Sequence, residues 1–476
     1  MGDVVPVLLS FPPEKASTSP KAYDKAVHEY LKSLDNIADA SFSKLVEKKN
    51  VLTYLDPAVN SIGYLRTLIK QIQGTRDKKQ LDALDESAVI FFGTFDPVQV
   101  RYVGEDFMML WDWAYKGLQE NGETDVTPLV SSLVRLDPTT ATFIPAHLHV
   151  VRLCLVRSIP SLALPILDTD IAAFPAKSTK GVPEELPCDE HELSNAWITE
   201  KNGFVKKLDP TDVLEYYLLG ASIYIGMHNW SRARLFLEYV LLSPSQSHTA
   251  SALQVEAYKK WALVGLIANG RAFPDPKTHD QIVWKSLKSC SRMYDELVAD
   301  FTHRNEKKFQ ADAETGIEYI REDGNVGLVN EAMNALKRFK IIDLQQTYAA
   351  ISVTRLASLL EVAPGEALQL LQTMIQDGHL NASLSGAGAD TVLRFHDAVP
   401  SNSQSDLEAQ TFRIQSLVAQ IRDADRRLQL TKEYVEHQKR NTRAGLDGDP
   451  ADAMDLTWDG PPSIPVAEGE DEDLML

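Results

Sequence analysis

The sequence predicts an all-α solenoid of helical repeats, of the tetratricopeptide or HEAT kind, followed by a winged helix with a small β-sheet and one long C-terminal helix. Three observations carry this. Apolar residues recur at helical spacing through most of the first 340 positions, with little strand-type alternation before residue 350. The stretch LLEVAPGEALQLLQTMIQDGHLNASLSGAGADTVLRFHD (359–397) reads as helix, tight turn, helix and a two-stranded hairpin. From Asp406 to Arg443 the chain lacks Pro and Gly and repeats apolar residues every seven positions.

At 476 residues the chain exceeds the roughly 250–300 residues over which one core keeps growing, so two or more folded units are expected. No run approaches the roughly 18 apolar residues that would cross a bilayer, which predicts a soluble chain without membrane partners. The N-terminus MGDVVPVLLSFPPE has no basic leader, and Pro6 replaces the Ser/Thr of a myristoylation signal, so neither secretion nor lipid anchoring is expected. Cys154, Cys188 and Cys290 are odd in number and far apart, as in reduced thiols of the cytoplasm and nucleus. The net charge is −19. Residues 444–476 carry ten Asp/Glu and no Lys or Arg, which marks a disordered acidic tail.

In chain order, residues 1–19 form an N-terminal segment. Pro20 then opens a helix whose Tyr23, Ala26, Val27, Tyr30, Leu31 and Leu34 share one face. Helical repeats continue over 20–195, with Ile62, Leu65, Leu68, Ile69 and Ile72 as another stripe. The polar, proline-bearing stretch 174–195 reads as an exposed connection. A second set of repeats, 196–340, includes the hairpin DVLEYYLLGASIYIGMHNWSRARLFLEYVLLSP, turning at His228-Asn229. Against the tetratricopeptide pattern, Tyr217 and Tyr224 take the aromatic positions and Ala221 and Ala233 the small ones, letting two backbones approach. The winged helix spans 341–400. Ser352 caps its first helix and Pro364-Gly365 opens the second, with Ala367, Leu370, Leu371, Met374 and Ile375 as the buried stripe. Strands run from His379 to Leu384 and from Thr391 to His396, joined by SGAGAD. Over 403–443 the seam Leu407, Ile414, Ile421, Leu428, Val435, with Leu417 between, calls for partner helices.

A winged helix is a shape used to read DNA, yet duplex binding rests on cations that neutralise phosphate. Between Ile341 and Pro400 the only basic residues are Arg355 and Arg394, against six Asp/Glu. The outer face of the second helix carries Glu366, Gln369, Gln372, Thr373, Gln376 and Asp377. A nucleic-acid adaptor is the distant alternative; pairing of a sheet edge with another protein is the favoured one.

Nothing in the chain predicts catalysis, and no cofactor or metal is expected. His147 and His149 form a His-x-His pair, but residues two apart on a helix diverge, and Arg157 and Pro160 stand where zinc isopeptidases place Ser and Asp. Cys188 and His191 lack a second ligand pair at finger spacing. There is no GxxxxGK[ST] loop and no GxSxG elbow.

Helical repeats, winged helix and long C-terminal helix in this order resemble the PCI family, shared by the proteasome lid, the COP-nine signalosome and translation initiation factor three. The blocks ALPILDTDI, YYLLGASIYIGMHNWSRARLFLEYVLLSP, VEAYKKWALVGLI, IQDGHLNASL and VLRFHD are most similar to signalosome members. The similarity is clear over roughly residues 140–400, with a lid or initiation-factor subunit as the alternative. It implies a non-catalytic scaffold subunit of a particle that removes the ubiquitin-like protein Nedd from cullins of RING-type ligases. Its partners would be the other signalosome subunits, PCI-containing and metal-protease-type, and indirectly cullin-RING ligases, with no nucleic acid. The resemblance implies edge pairing through the wing (Leu380, Ala382, Leu384, Val392, Arg394, His396) and bundling through the seam (Leu407, Ile414, Leu417, Ile421, Leu428, Val435).

Overall fold

The computed structural model describes residues 4–12, 19–46, 49–121, 125–175, 186–244, 249–386, 391–396, 404–431, 433, 434, 436–438 and 440. The chain falls into two compact units, one reaching to Phe412 and the other starting at Arg413. Helices dominate. Among the described residues the strands are β1 (Ala350–Ser352), β2 (Ala382–Ser385) and β3 (Val392–Phe395).

The first helical repeat reaches further toward the N-terminus than its sequence suggests. Val4–Leu8 is helical, and Leu8 and Phe11 are buried in the main core. Tyr30 donates its hydroxyl to Leu8 O at 2.9 Å, Asn60 donates to Phe11 O at 2.7 Å, and the Phe11 and Tyr30 rings stack at 5.2 Å. The N-terminal segment 1–19 is thus, over its described part, a piece of the first layer.

That core continues without a joint from Leu8 to Leu287. The boundary expected at residue 195 is therefore not a break between compact units. The described part of the stretch read as an exposed connection is also tied down. Arg101 donates to Pro187 O at 3.0 Å and lies 4.7 Å over the Trp197 ring. Trp197, Ile198, Phe204 and Val205 are buried just beyond it. Large apolar anchors outweigh the polar composition around them.

The central hairpin consists of Pro210–Gly226 and Trp230–Leu242. Asp209 caps the first helix by accepting from Thr211 N, and Asn229 caps the second by accepting from Arg232 N. His228 turns the chain with φ 57°, as its place between the helices requires. Ala221 and Ala233 are fully buried, as read. The closest approach, however, is at Gly220, where a Cβ would meet Phe236 at 2.8 Å and Leu167 at 2.9 Å. Tyr224 is buried as expected, but Tyr217 is only half-buried, and its neighbour Tyr216 is the fully enclosed ring.

A second core gathers Leu263, Leu266, Tyr294, Leu297, Phe301 and Phe309 around the helix Val326–Leu344. This helix serves two cores. Val329, Ala332, Ala335 and Leu336 pack into the second, while Ile341 packs into the core of the winged helix. A continuous rod of helix shared by two cores resists bending between them, so the wing is held on the end of the solenoid.

In the winged helix, Ser352 caps Val353–Leu360 and Pro364 opens Pro364–Gln376, whose Ala367, Leu371 and Met374 are buried. Gly378 (φ 72°) follows the second helix. The sheet order is β1-β3-β2, antiparallel throughout, with Ile351 and Leu384 both opposite Leu393.

Candidate protein-interaction surfaces

The wing has one strand more than the sequence reading. β1 is three residues long, too short for an alternating pattern to register, and it covers one edge of β3 while β2 covers the other. β3 is therefore the central strand, and Val392, Arg394 and His396 cannot offer a free backbone edge. The open edges belong to β1 and β2.

The predicted wing residues separate into two groups. Leu380 and Ala382 are buried, and with Leu393 they belong to the winged-helix core. Leu384 and Val392 are half-buried, while Arg394 and His396 are exposed. His396 lies on the side of β2, its Nε2 2.8 Å from Ser383 Oγ, and its carbonyl accepts from Gln345 Nε2 at 3.2 Å. Ser383, Arg394 and His396 are thus exposed polar groups beside β2, whose other side is paired with β3.

The outer face of Pro364–Gln376 shows what the sequence implied. Glu366, Gln369, Gln372, Thr373, Gln376 and Asp377 are all exposed and offer phosphate no cation.

The long C-terminal helix spans Gln404–Leu430, bends at Thr431, and is helical again at residues 433, 434, 436–438 and 440, while the last part of the expected Asp406–Arg443 span lies outside the described residues. At the bend the Thr431 hydroxyl turns back to Leu428 O at 2.7 Å and accepts from Tyr434 N at 3.3 Å, capping the helical residues that follow. Leu407, Ile414, Leu417, Ile421 and Leu428 are 48–61% exposed, and Phe412 is 66% exposed. Val435 lies outside the described residues. Five large aliphatic side chains left open along one 27-residue helix form a stripe that monomeric proteins seldom expose.

The two histidines do not converge. His147 is buried, with Nδ1 facing Ile144 N at 3.4 Å and its ring edge-on to Phe143. Burial holds it near pKa 3, so it is a neutral core group. His149 stacks on Tyr115 at 4.8 Å. Cys188 donates to Pro20 O and His191 faces Leu186 O, each occupied with backbone. Among the described residues no group of three or more His, Cys, Asp or Glu could hold a metal ion.

Sequence reasoning missed the role of ALPILDTDI. Tyr224 donates to Asp168 Oδ1 at 2.8 Å, and Arg232 donates to Asp170 Oδ1 and Leu167 O, each at 2.8 Å. The block is the strap that fastens the preceding repeat to the central hairpin. Its carboxylates at alternate positions, facing a Tyr and an Arg of the hairpin, were the available signal.

A helical solenoid that carries a winged helix on a shared strut, with an open apolar helix after it, defines a PCI-type subunit, and the PCI domain pattern matches residues 313–388. The pattern described as COP9 signalosome complex subunit 3, N-terminal helical repeats, matches residues 24–283. The chain belongs to the family of COP9 signalosome subunit 3. Similar proteins of that name come from Emericella nidulans (28% identical, covering 93% of this chain and 92% of the relative), Neurospora crassa (26%, 90% and 90%) and Dictyostelium discoideum (24%, 82% and 87%). The match therefore extends well N-terminal of residue 140. As a member of this family the chain is a non-catalytic signalosome subunit that assembles with others of the complex.

Proposed function

We infer that the chain is a scaffold that holds other PCI-containing subunits and a metal-protease-type subunit in one particle, and so supports removal of Nedd from cullin-RING ligases. It works in both cytoplasm and nucleus. The observation that carries this reading is the open seam Leu407, Ile414, Leu417, Ile421 and Leu428, which in water has a large apolar area to lose. Helices from neighbouring subunits would cover it in the manner of a coiled coil. The free edge of β2 adds a second, directional contact by strand pairing.

The test is removal of residues 403–443 from the full chain, co-expressed with the remaining subunits. The truncated chain should melt at the temperature of the intact one yet no longer co-purify with the particle. Normal assembly of the truncated chain would overturn the scaffold reading. Fluorescence imaging of the tagged full chain should find it in both compartments.

A further inference from the structure

An apolar stripe open to water promotes association until something covers it. From Ile414 onward the seam (Ile414, Leu417, Ile421, Leu428) lies in the second compact unit, and its side chains are 48–61% exposed. In the heptad register that puts Ile414, Ile421 and Leu428 at a and Leu417 at d, the flanking e and g positions from Gln404 to Arg443 carry Arg413, Arg427, Lys432 and Lys439 against Asp406 and Asp425. Asp406 stands before Arg413, so beyond that point only Asp425 opposes the four cations. Arg427 also reaches Asp423 at 2.8 Å, and Arg426 shares that carboxylate at 3.0 Å. Over all positions, Asp406–Arg443 holds eight Lys/Arg and six Asp/Glu, and Arg413–Arg443 holds eight and four. In a chain of net charge −19, the seam beyond Arg413 is a basic stretch.

The segment that follows has the opposite sign. Residues 444–476 lie outside the described residues; in sequence they carry ten Asp/Glu and no Lys or Arg, interleaved with apolar residues. Met454, Leu456 and Trp458 stand between Asp452, Asp455 and Asp459, and Leu474, Met475 and Leu476 follow directly on the acidic run Glu470–Asp473. Such a segment suits an apolar stripe with basic flanks, its carboxylates meeting the cations while Met, Leu and Trp lie on the stripe.

The tether is long enough. Arg440 is helical, and at 1.5 Å per residue Leu428 and Ile414 are at most about 18 Å and about 39 Å back along the helix. From Arg440 the chain can extend up to about 50 Å by Met454 and about 65 Å by Trp458, so this block can return over the whole stripe. Attachment also gives the tail a local concentration on the order of mM at the seam. A second copy of the chain at micromolar concentration does not match that.

We propose that residues 451–476 cover the seam of their own chain between Ile414 and Leu428 until partner helices displace them. The displacing partner rests on the scaffold reading: a helix that fills the a and d positions along the whole seam outcompetes a short acidic block. The tail would keep the unassembled subunit monomeric.

The test compares the full chain with a chain ending at Arg443, which keeps the seam, using a fluorescein-labelled peptide of residues 451–476 read by anisotropy. The shortened chain should bind the peptide with a Kd of roughly tens of micromolar, and the full chain about tenfold or more weakly, because its own tail competes. Binding should weaken as salt rises from about 50 to about 300 mM. Leu417→Glu combined with Ile421→Glu in the shortened chain should abolish it; both side chains are exposed, and an unchanged melting curve would show that the variant folds. A control peptide with Met454, Leu456 and Trp458 each replaced by Ser should bind about tenfold more weakly. Equal binding of that control would overturn the proposal in favour of a general polyanion surface. Equal binding by the full and shortened chains, or none by the shortened chain, would overturn it as well. Sedimentation of the full chain as a dimer that the Leu417→Glu, Ile421→Glu pair dissolves would replace the tail by a second copy as the occupant. The shortened chain should still co-purify with the other subunits, and failure to do so would overturn the tail as a cover. The scaffold reading fails on a different result, normal assembly without residues 403–443.

Discussion

Replacing Tyr216 by Phe removes a single oxygen from a fully enclosed site at the centre of the solenoid. The Tyr216 ring is edge-on to Phe143 at 5.4 Å and tilted against Phe236 at 6.3 Å. Its hydroxyl has no hydrogen-bond partner among the described residues and no access to solvent. Burial pushes the phenol pKa well up, so it remains a neutral donor with nowhere to donate. An unpaired buried hydroxyl costs about 1–3 kcal/mol, while the void left by its removal costs less than about 0.5 kcal/mol. Tyr216→Phe should therefore stabilise the chain by about 1 kcal/mol. Tyr216→Ala forfeits the whole ring and should destabilise it by about 3–5 kcal/mol. For a cooperative unit of roughly 400 residues, 1 kcal/mol moves Tm by only about 1 °C, so urea denaturation is the better assay. Tryptophan emission and far-UV circular dichroism should be followed together, because coincident transitions license a single free energy. If Tyr216→Phe instead lost 1 kcal/mol or more, the hydroxyl would have a partner and the packing account would be wrong.

Two further outcomes follow from the same region. The pKa of His147 falls from 6.5 to about 3 on burial. Its contribution is complete above pH 6.5 and is lost as the pH falls toward 3, because the unfolded chain takes up the proton first. The limiting slope is about 1.4 kcal/mol per pH unit, and His147→Asn should flatten stability between pH 6.5 and 4 in urea titrations. Gly220→Ala places a methyl against Phe236 and Leu167 and should cost about 1–3 kcal/mol through overpacking, measured as a lowered urea midpoint.

How much of this was legible in the sequence depends on how local each determinant is. The helix stripes, the Ser352 cap and the Pro364 start are decided within one or two turns, and all appear where their residues placed them. The choice of Tyr216 over Tyr217 as the buried ring is not local. Both lie on one helix turn, and the preceding repeat, through Phe143, determines which is enclosed. β1 escaped for the opposite reason, since three residues carry no period. Once β1 is paired, β3 becomes central, and the residues read as an edge divide into core (Leu380, Ala382) and polar surface (Arg394, His396). The bend at Thr431 depended on one hydroxyl choosing backbone over solvent.

On the scaffold reading proposed above, the wing and the seam would pose different demands on assembly. Strand pairing at β2 is directional and fixes orientation, but a four-residue strand contributes little area. The seam offers area with weak positional preference, because a heptad can slip by one repeat at modest cost. A subunit carrying only the seam would bundle without a defined neighbour, and one carrying only the edge would pair too weakly to persist. The shared strut Val326–Leu344 bears on this division. By packing into the second core and into that of the winged helix, it passes the orientation of the wing to the solenoid. Loosening the strut should therefore leave association through the seam intact while scrambling which partner is held at the wing.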